Sequence, residues 1–355
     1  MTEHDLEKTA QELVTAGKGI LAADETVGTI SKRFDALGIP STAESRRTYR
    51  ELLFTTPGLP DFISGVIMHD ETIRQADGAG APLAEVLAGT GIVPGIKVDT
   101  GAKSLAACPG ETVTEGLDGL RERLQEYRAR SARFAKWRAV IHVTDDLPSD
   151  ACLEANAHAL GRYAALCQEA GLVPIVEPEV LMDGTHTLGR AEEVTGVVLD
   201  HVFRALSTQR VALEGMLLKP NMVVSGKGCA VQASVTDVAT ATLRCLRRHV
   251  PSAVPGIVFL SGGQDERRAT LNLSAMNSAP GVRPWAITFS YGRALQDPAL
   301  EAWGGQPTGT KTAQDALYHR ARCNGAASRG QYSDAMEKDT GTSPSPPHRA
   351  HWRDD

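Results

Sequence analysis

Ala135-Lys-Trp-Arg-Ala-Val140 and Val173-Pro-Ile-Val-Glu177 are short apolar runs, and between them Leu153, Ala157, Leu160, Ala164 and Cys167 form a stripe. The stripe advances by four and three residues in turn, which is one face of a helix. Ser149 stands where a helix N-cap is wanted and Gly171 where the chain must leave the helix. Strand, helix and strand in that order make a βαβ unit, and the same rhythm extends in both directions. Upstream lie Gly19-Ile-Leu-Ala-Ala23, Ile63-Ser-Gly-Val-Ile-Met68 and Gly95-Ile-Lys-Val98. Downstream lie Gly215-Met-Leu-Leu-Lys219, Gly256-Ile-Val-Phe-Leu-Ser261 and Ala286-Ile-Thr-Phe-Ser290. Each spacing between starts reaches the roughly 30 residues that one unit needs. Another amphipathic stripe, Leu117, Leu120, Leu124 and Tyr127, predicts the helix before the Ala135 run. Near-continuous apolar strands separated by helices imply a parallel sheet covered by helices. Eight units predict a closed α/β barrel of the (β/α)8 TIM type rather than an open sheet.

Composition agrees with that architecture and removes several function classes. The 355 residues are 42% hydrophobic and 23% charged, enough to bury a large core. A formal charge of −6 argues against a nucleic-acid or membrane-surface partner. No apolar run approaches the roughly 18 residues of a membrane span. The opening Met1-Thr-Glu-His-Asp-Leu-Glu7 is too polar for a signal peptide. Six cysteines without a C-x-x-C point to free thiols, and the expected location is cytoplasmic. Residues 1–342 are expected to form one barrel unit. Ser343 to Asp355, with three prolines in five residues, read as a mobile tail.

Barrels of this type place their active sites at the C-terminal strand ends. Those ends read Asp24 and Glu25; His69, Asp70 and Glu71; Lys97 and Asp99; Lys136 and Arg138; Glu177 and Glu179; and Lys219. The last two runs lead into Ser261-Gly-Gly-Gln264 and Tyr291-Gly-Arg293. Strand-to-loop polarity explains any one of these, but not all eight together. Lys219 is the sharpest case, because an ammonium ending a buried run is costly without a partner. A structural lysine there would pair with Glu177 or Glu179. A functional one would be a nucleophilic amine, its pKa lowered by burial and by Lys136, that attacks a ketone. Glu177 and Asp24 are then the proton carriers. The glycine turns, with Arg293, suit a phosphate.

Other patterns carry less. Gly89-Thr-Gly-Ile-Val-Pro-Gly95 has the wrong spacing for a dinucleotide fingerprint and leads into a strand. His348 and His351 lie in the tail, and the ten histidines show no metal-ligand spacing. Neither a metal nor a cofactor is expected.

Seven blocks, Gly17-Lys-Gly-Ile-Leu-Ala-Ala-Asp-Glu25, Gly95-Ile-Lys-Val-Asp99, Phe134-Ala-Lys-Trp-Arg138, Val173-Pro-Ile-Val-Glu-Pro-Glu179, Leu217-Leu-Lys-Pro-Asn-Met222, Phe259-Leu-Ser-Gly-Gly-Gln264 and Thr288-Phe-Ser-Tyr-Gly-Arg-Ala-Leu295, closely resemble class I fructose-bisphosphate aldolase. The resemblance runs in order from about residue 6 to about residue 335. It implies a metal-free Schiff-base lyase, a homotetramer, that splits fructose 1,6-bisphosphate into dihydroxyacetone phosphate and glyceraldehyde 3-phosphate. By position, Lys219 would be the Schiff-base lysine and Glu177 the general acid/base. Asp24 would handle the C4 hydroxyl proton, Lys136 would hold developing negative charge, and Glu179 would tune the lysines. Ser261, Gly262, Gly263, Ser290, Gly292 and Arg293 match the C1 phosphate site. Lys97, Arg138, Arg33, Arg46, Thr26 and Thr29 match positions near the C6 phosphate or along the sugar. The sequence departs twice from its relatives. Threonines stand at 26 and 29 where animal members carry serines, and no tyrosine follows Tyr332, where many members end in one. Rival readings are a transaldolase-like or fructose 1-phosphate-preferring aldolase and a non-enzymatic scaffold.

Overall fold

The computed structural model describes residues 3–339. The tail read from Ser343 onward, with His348 and His351, lies outside the described residues, as does the boundary set at 342.

Ten strands occur among the described residues. They are β1 (Gly19–Ala23), β2 (Ile63–Met68), β3 (Val93–Lys97), β4 (Gly101–Ser104), β5 (Thr112–Glu115), β6 (Phe134–Ile141), β7 (Val173–Val180), β8 (Leu217–Leu218), β9 (Gly256–Phe259) and β10 (Ala286–Tyr291). Eight close into a barrel in the order β1-β10-β9-β8-β7-β6-β3-β2, every neighbour parallel. The ring seals where Ile20 and Leu21 pair with Ser290 and Tyr291. This is the (β/α)8 barrel that the eight apolar runs predict.

Strand periodicity sorts the side chains into two layers. Ile20, Ala22, Phe134, Val173, Ile175 and Leu217 belong to a small inner core that fills the barrel. Leu21, Ala23, Ala135, Trp137, Val176 and Leu218 belong to the larger core between barrel and helices. The floor is closed by the helix Glu3–Leu13, whose Leu6, Ala10 and Leu13 join the inner core at helical spacing. Continuing the inner rows upward by two leads to Asp24 from β1, Lys136 and Arg138 in β6, Glu177 and Glu179 in β7, and Lys219 past β8. The same alternation that buries the apolar rows therefore carries the ionisable groups into the mouth.

Two local expectations are corrected, and one element has no counterpart in the sequence reading. The helix expected from Leu117 begins at Leu120, because Gly119 is in the left-handed region at φ 64°. Leu117 packs against the core ahead of the helix. The strand expected over Gly215–Lys219 shrinks to two residues, since Leu213–Gly215 forms a 3-10 turn and Pro220 has no N–H to extend the ladder. The Lys219 amide still donates to the Val176 carbonyl at 2.8 Å, so register holds through the lysine. The antiparallel hairpin of β4 and β5 was not legible, being short and polar. The helix between β6 and β7 runs Asp150–Glu169, with Ser149 accepting from the Cys152 amide and Gly171 at φ 73°. All six cysteines are free thiols.

Candidate active site

A cavity of about 900 Å³ opens at the C-terminal end of the barrel. Asp24, Thr26, Thr29, Arg33, Lys97, Lys136, Arg138, Glu177, Glu179, Lys219, Ser261, Gly262, Ser290, Gly292 and Arg293 all line it. At its base runs a chain of alternating charge. Asp24 is 2.7 Å from the Lys136 ammonium, Lys136 is 3.2 Å from Glu177, and Glu177 is 3.1 Å from the Lys219 ammonium. Lys136, Glu177 and Lys219 are each buried.

Burial would raise the Asp24 carboxyl, but Lys136, then Lys219, hold it well below the ordinary carboxylate range. Glu177 follows the same logic: burial pushes it up, and Lys136, Lys219 and Arg138 bring it below its usual value. Burial disfavours the Lys136 ammonium, yet Asp24 and Glu177 raise it far above the usual lysine range. Glu177 touches Lys136 with one oxygen and Lys219 with the other, so a proton moved on or off it passes beside both amines. Glu179 accepts from Arg138 one step higher in the mouth. Burial lowers and Glu179 more than restores the Arg138 guanidinium, which ends well above its ordinary value. Asp99 ties β3 to β6, accepting from Lys97 at 2.5 Å and from the Arg138 amide at 3.2 Å.

Away from the base the wall changes character. Gly262 and Gly263 have φ of 63° and 84°, a conformation that costs other residues strain. Beside them, Gly292 caps the helix Arg293–Trp303 without any side-chain hydrogen bond, leaving its first amides for an anion. The buried Ser290 hydroxyl, also on this wall, has no hydrogen-bond partner among the described residues. Thr26, also on the wall, caps the helix Val27–Asp35, with the Thr26 and Thr29 hydroxyls 3.0 Å apart. Arg33 pairs there with Glu25 and with Asp297 at 2.7 Å.

Two expected residues lie elsewhere. Arg46 is absent from the cavity wall, because its guanidinium is taken by both oxygens of Glu71. Gly263 lines an adjoining cavity instead. Lys32 was missed although it lines the wall. Its signal was helical spacing, since Thr29, Lys32, Arg33 and Ala36 fall on one face at i, i+3, i+4 and i+7. Glu25, at the end of its apolar run, anchors Arg33 and the buried Arg50, the latter at 2.6 Å. Among the described residues, His319, Cys323 and Glu337 form a grouping with possible metal ligands. Its carboxylate already accepts from Arg320 at 2.6 and 2.8 Å and from the Tyr332 hydroxyl at 2.6 Å, which leaves a cation facing a guanidinium.

A family model described as fructose-bisphosphate aldolase class-I matches residues 5–346. The chain belongs to the class-I fructose-bisphosphate aldolase family. A probable class 1 fructose-bisphosphate aldolase of Xanthomonas campestris is 56% identical over 94% of this chain and 99% of its own length. The cytosolic fructose-bisphosphate aldolase 4 of Arabidopsis thaliana is 48% identical over 96% of this chain and 87% of its own. Among solved structures, fructose-bisphosphate aldolase from Plasmodium falciparum, crystallised with TRAP and a small-molecule inhibitor, superposes with a TM-score of 0.92. It is 49% identical and covers 93% of this chain and 96% of its own. Family and fold therefore agree over nearly the whole aldolase chain.

Proposed function

We propose that the chain catalyses the reversible aldol cleavage of fructose 1,6-bisphosphate to dihydroxyacetone phosphate and glyceraldehyde 3-phosphate through a Schiff base on Lys219. The reaction is that of the family, and the assignment of residues rests on the charge chain at the cavity base. The observation that carries it is Lys219, a buried amine beside the equally buried Glu177, in a cavity lined both by an anion-suited turn and by cationic side chains.

The Lys219 amine adds to the C2 ketone to give a carbinolamine. Glu177, a carboxylate beside that nitrogen, takes protons from it and delivers them to the carbinolamine oxygen, so that water leaves and the iminium forms. Asp24 takes the C4 hydroxyl proton, the C3–C4 bond breaks, and its electron pair moves into the enamine as the aldehyde departs. Lys136, between Asp24 and Glu177, offsets the negative charge that the proton transfers leave behind. The enamine is then protonated at C3 and the iminium hydrolysed, returning the free amine. Ser261, Gly262, Ser290, Gly292 and Arg293 hold the C1 phosphate. Lys97, Arg138, Arg33, Thr26 and Thr29 serve the remainder of the sugar and its C6 phosphate. Several cationic groups on the wall favour a bisphosphate over a monophosphate substrate.

A homotetrameric assembly and a cytoplasmic location complete the reading. The family resemblance supports the first, and the relative named as cytosolic supports the second. No helix among the described residues is long and apolar enough to cross a membrane.

The test is borohydride reduction in the presence of dihydroxyacetone phosphate, followed by mapping of the labelled residue. Label on Lys219, EDTA-resistant cleavage and loss of both in folded Lys219→Met are expected. Label on another lysine overturns the assignment.

A further inference from the structure

Lys227 lies eight residues past Lys219, away from any strand end, in the loop that follows β8. Three backbone hydrogen bonds hold this loop against the one that follows β7. Lys227 N–H donates to the Met182 carbonyl at 2.7 Å, Gly228 N–H to Gly184 at 2.8 Å and Gly226 N–H to His186 at 2.9 Å. The pairing is close because a side chain at 226 would put its Cβ 2.5 Å from the Gly184 carbonyl oxygen. The Lys227 backbone is thus fixed, and its ammonium lies beside Gly263 in the cavity that adjoins the active site. A Cβ at Gly263 would lie 3.0 Å from the Lys227 nitrogen and 3.3 Å from a terminal nitrogen of Arg293. Only the lack of a side chain at this glycine lets two cations come so near the same turn.

The remaining contacts of this corner suit an exchangeable role. Lys227 pairs with the exposed Asp183 at 3.0 Å. Exposed pairs of this kind are weak, so an arriving phosphate dianion can replace the carboxylate at little cost. Arg293 is exposed and makes no ion pair among the described residues. Two such cations on one turn match the double charge of a phosphate monoester better than one does.

We propose that Lys227 is a further substrate-binding residue of the C1 phosphate site, drawn from Asp183 onto the phosphate when the sugar binds. The inference rests on the reading of Ser261–Gly263 and Arg293 as that site. Asp183 then acts as a built-in competitor, occupying the ammonium in the free protein and releasing it to the stronger anion.

The experiment compares Lys227→Met, Lys227→Arg and Asp183→Asn with the parent enzyme. Lys227→Met is expected to raise KM for fructose 1,6-bisphosphate about tenfold, with kcat changed less than twofold, as for one lost charged hydrogen bond. The inhibition constant of inorganic phosphate should rise in parallel, and Lys227→Arg should recover most of both. Asp183→Asn should lower KM. Borohydride trapping adds a readout that a merely structural role would not move. The half-saturating concentration should rise for dihydroxyacetone phosphate and stay constant for dihydroxyacetone, which has no phosphate. Equal effects on both trapping ligands, or no effect on either, overturn the proposal. If Arg293→Ala raises KM while Lys227→Met does not, Lys227 fails and the phosphate site stands. If neither does, the phosphate site itself has been misplaced.

Discussion

Replacing Lys136 by methionine removes the central link of the charge chain at nearly constant side-chain length. Lys136 touches Asp24 at 2.7 Å and Glu177 at 3.2 Å, and its side chain is only 4% exposed. Without it, two carboxylates remain with the single ammonium of Lys219, so a balanced buried group acquires a net negative charge. Breaking a buried pair from one side costs about 3–5 kcal/mol. With an unfolding entropy of roughly 2.1 cal/mol/K per residue, that loss corresponds to a Tm lower by about 4–7 °C. The pH dependence has a definite sign. Asp24 and Glu177 lie below their unfolded values in the parent protein, so their stabilising contribution is complete above about pH 4–5 and is lost as pH falls through the folded values. In the variant the lysine that depresses them is gone, and burial with mutual repulsion raises one carboxyl instead. That carboxyl binds a proton on folding, so the penalty grows with rising pH. Urea or thermal unfolding at pH 8 and pH 5.5 should therefore show a gap from the parent that narrows at the lower pH. Cleavage should fall by about a hundredfold or more, as when an oriented charge is removed from a reacting centre. A variant as stable as the parent at pH 8, or a gap that widens on acidification, would refute the reasoning.

Arg293→Ala should raise KM for fructose 1,6-bisphosphate about tenfold with a smaller change in kcat, measured by steady-state kinetics, whereas a purely structural arginine would move only Tm. Glu25→Gln leaves Arg50 buried without its carboxylate partner and should lower stability by about 3 kcal/mol in a denaturant titration, with the helix Val27–Asp35 loosened first. Burial opposes the Glu337 charge, but Tyr332 and Arg320 hold the carboxyl at about 2. Its contribution is therefore complete above the unfolded carboxylate value and declines as pH falls toward 2, and Glu337→Gln should flatten the acid limb of the stability curve.

Much of this was legible before any coordinates, for a physical reason. The barrel strands are apolar runs whose alternate residues face the interior, so continuing each run by two residues names the mouth. Ile20 and Ala22 lead to Asp24, Val173 and Ile175 to Glu177, and Leu217 to Lys219. β1 and β2 begin and end where their apolar runs do. What escaped prediction depends on contacts between segments distant in sequence. Arg46 sits at a plausible position, but Glu71 holds it away from the cavity. Lys227 is an ordinary loop lysine until two loops some 40 residues apart pair and bring it beside Gly263. The β4–β5 hairpin has neither an apolar row nor a two-residue turn to announce it. Leu117 fits the helical stripe, and only the backbone of Gly119 excludes it.

The alternating chain from Asp24 to Lys219 also bears on how such a protein changes over evolutionary time. Each member neutralises its neighbour inside the barrel, so losing any one leaves an uncompensated charge in a nearly dry place. Drift through single substitutions therefore carries a stability cost, whether or not catalysis is still under selection. A descendant that had given up cleavage for another role would be expected to keep all four groups long after the chemistry had ceased to matter. Residues at the exposed phosphate corner, whose loss costs little stability, would be the first to go. In this barrel, erosion at Arg293 and Lys227 would mark a lapsed enzyme sooner than any change at the buried amine.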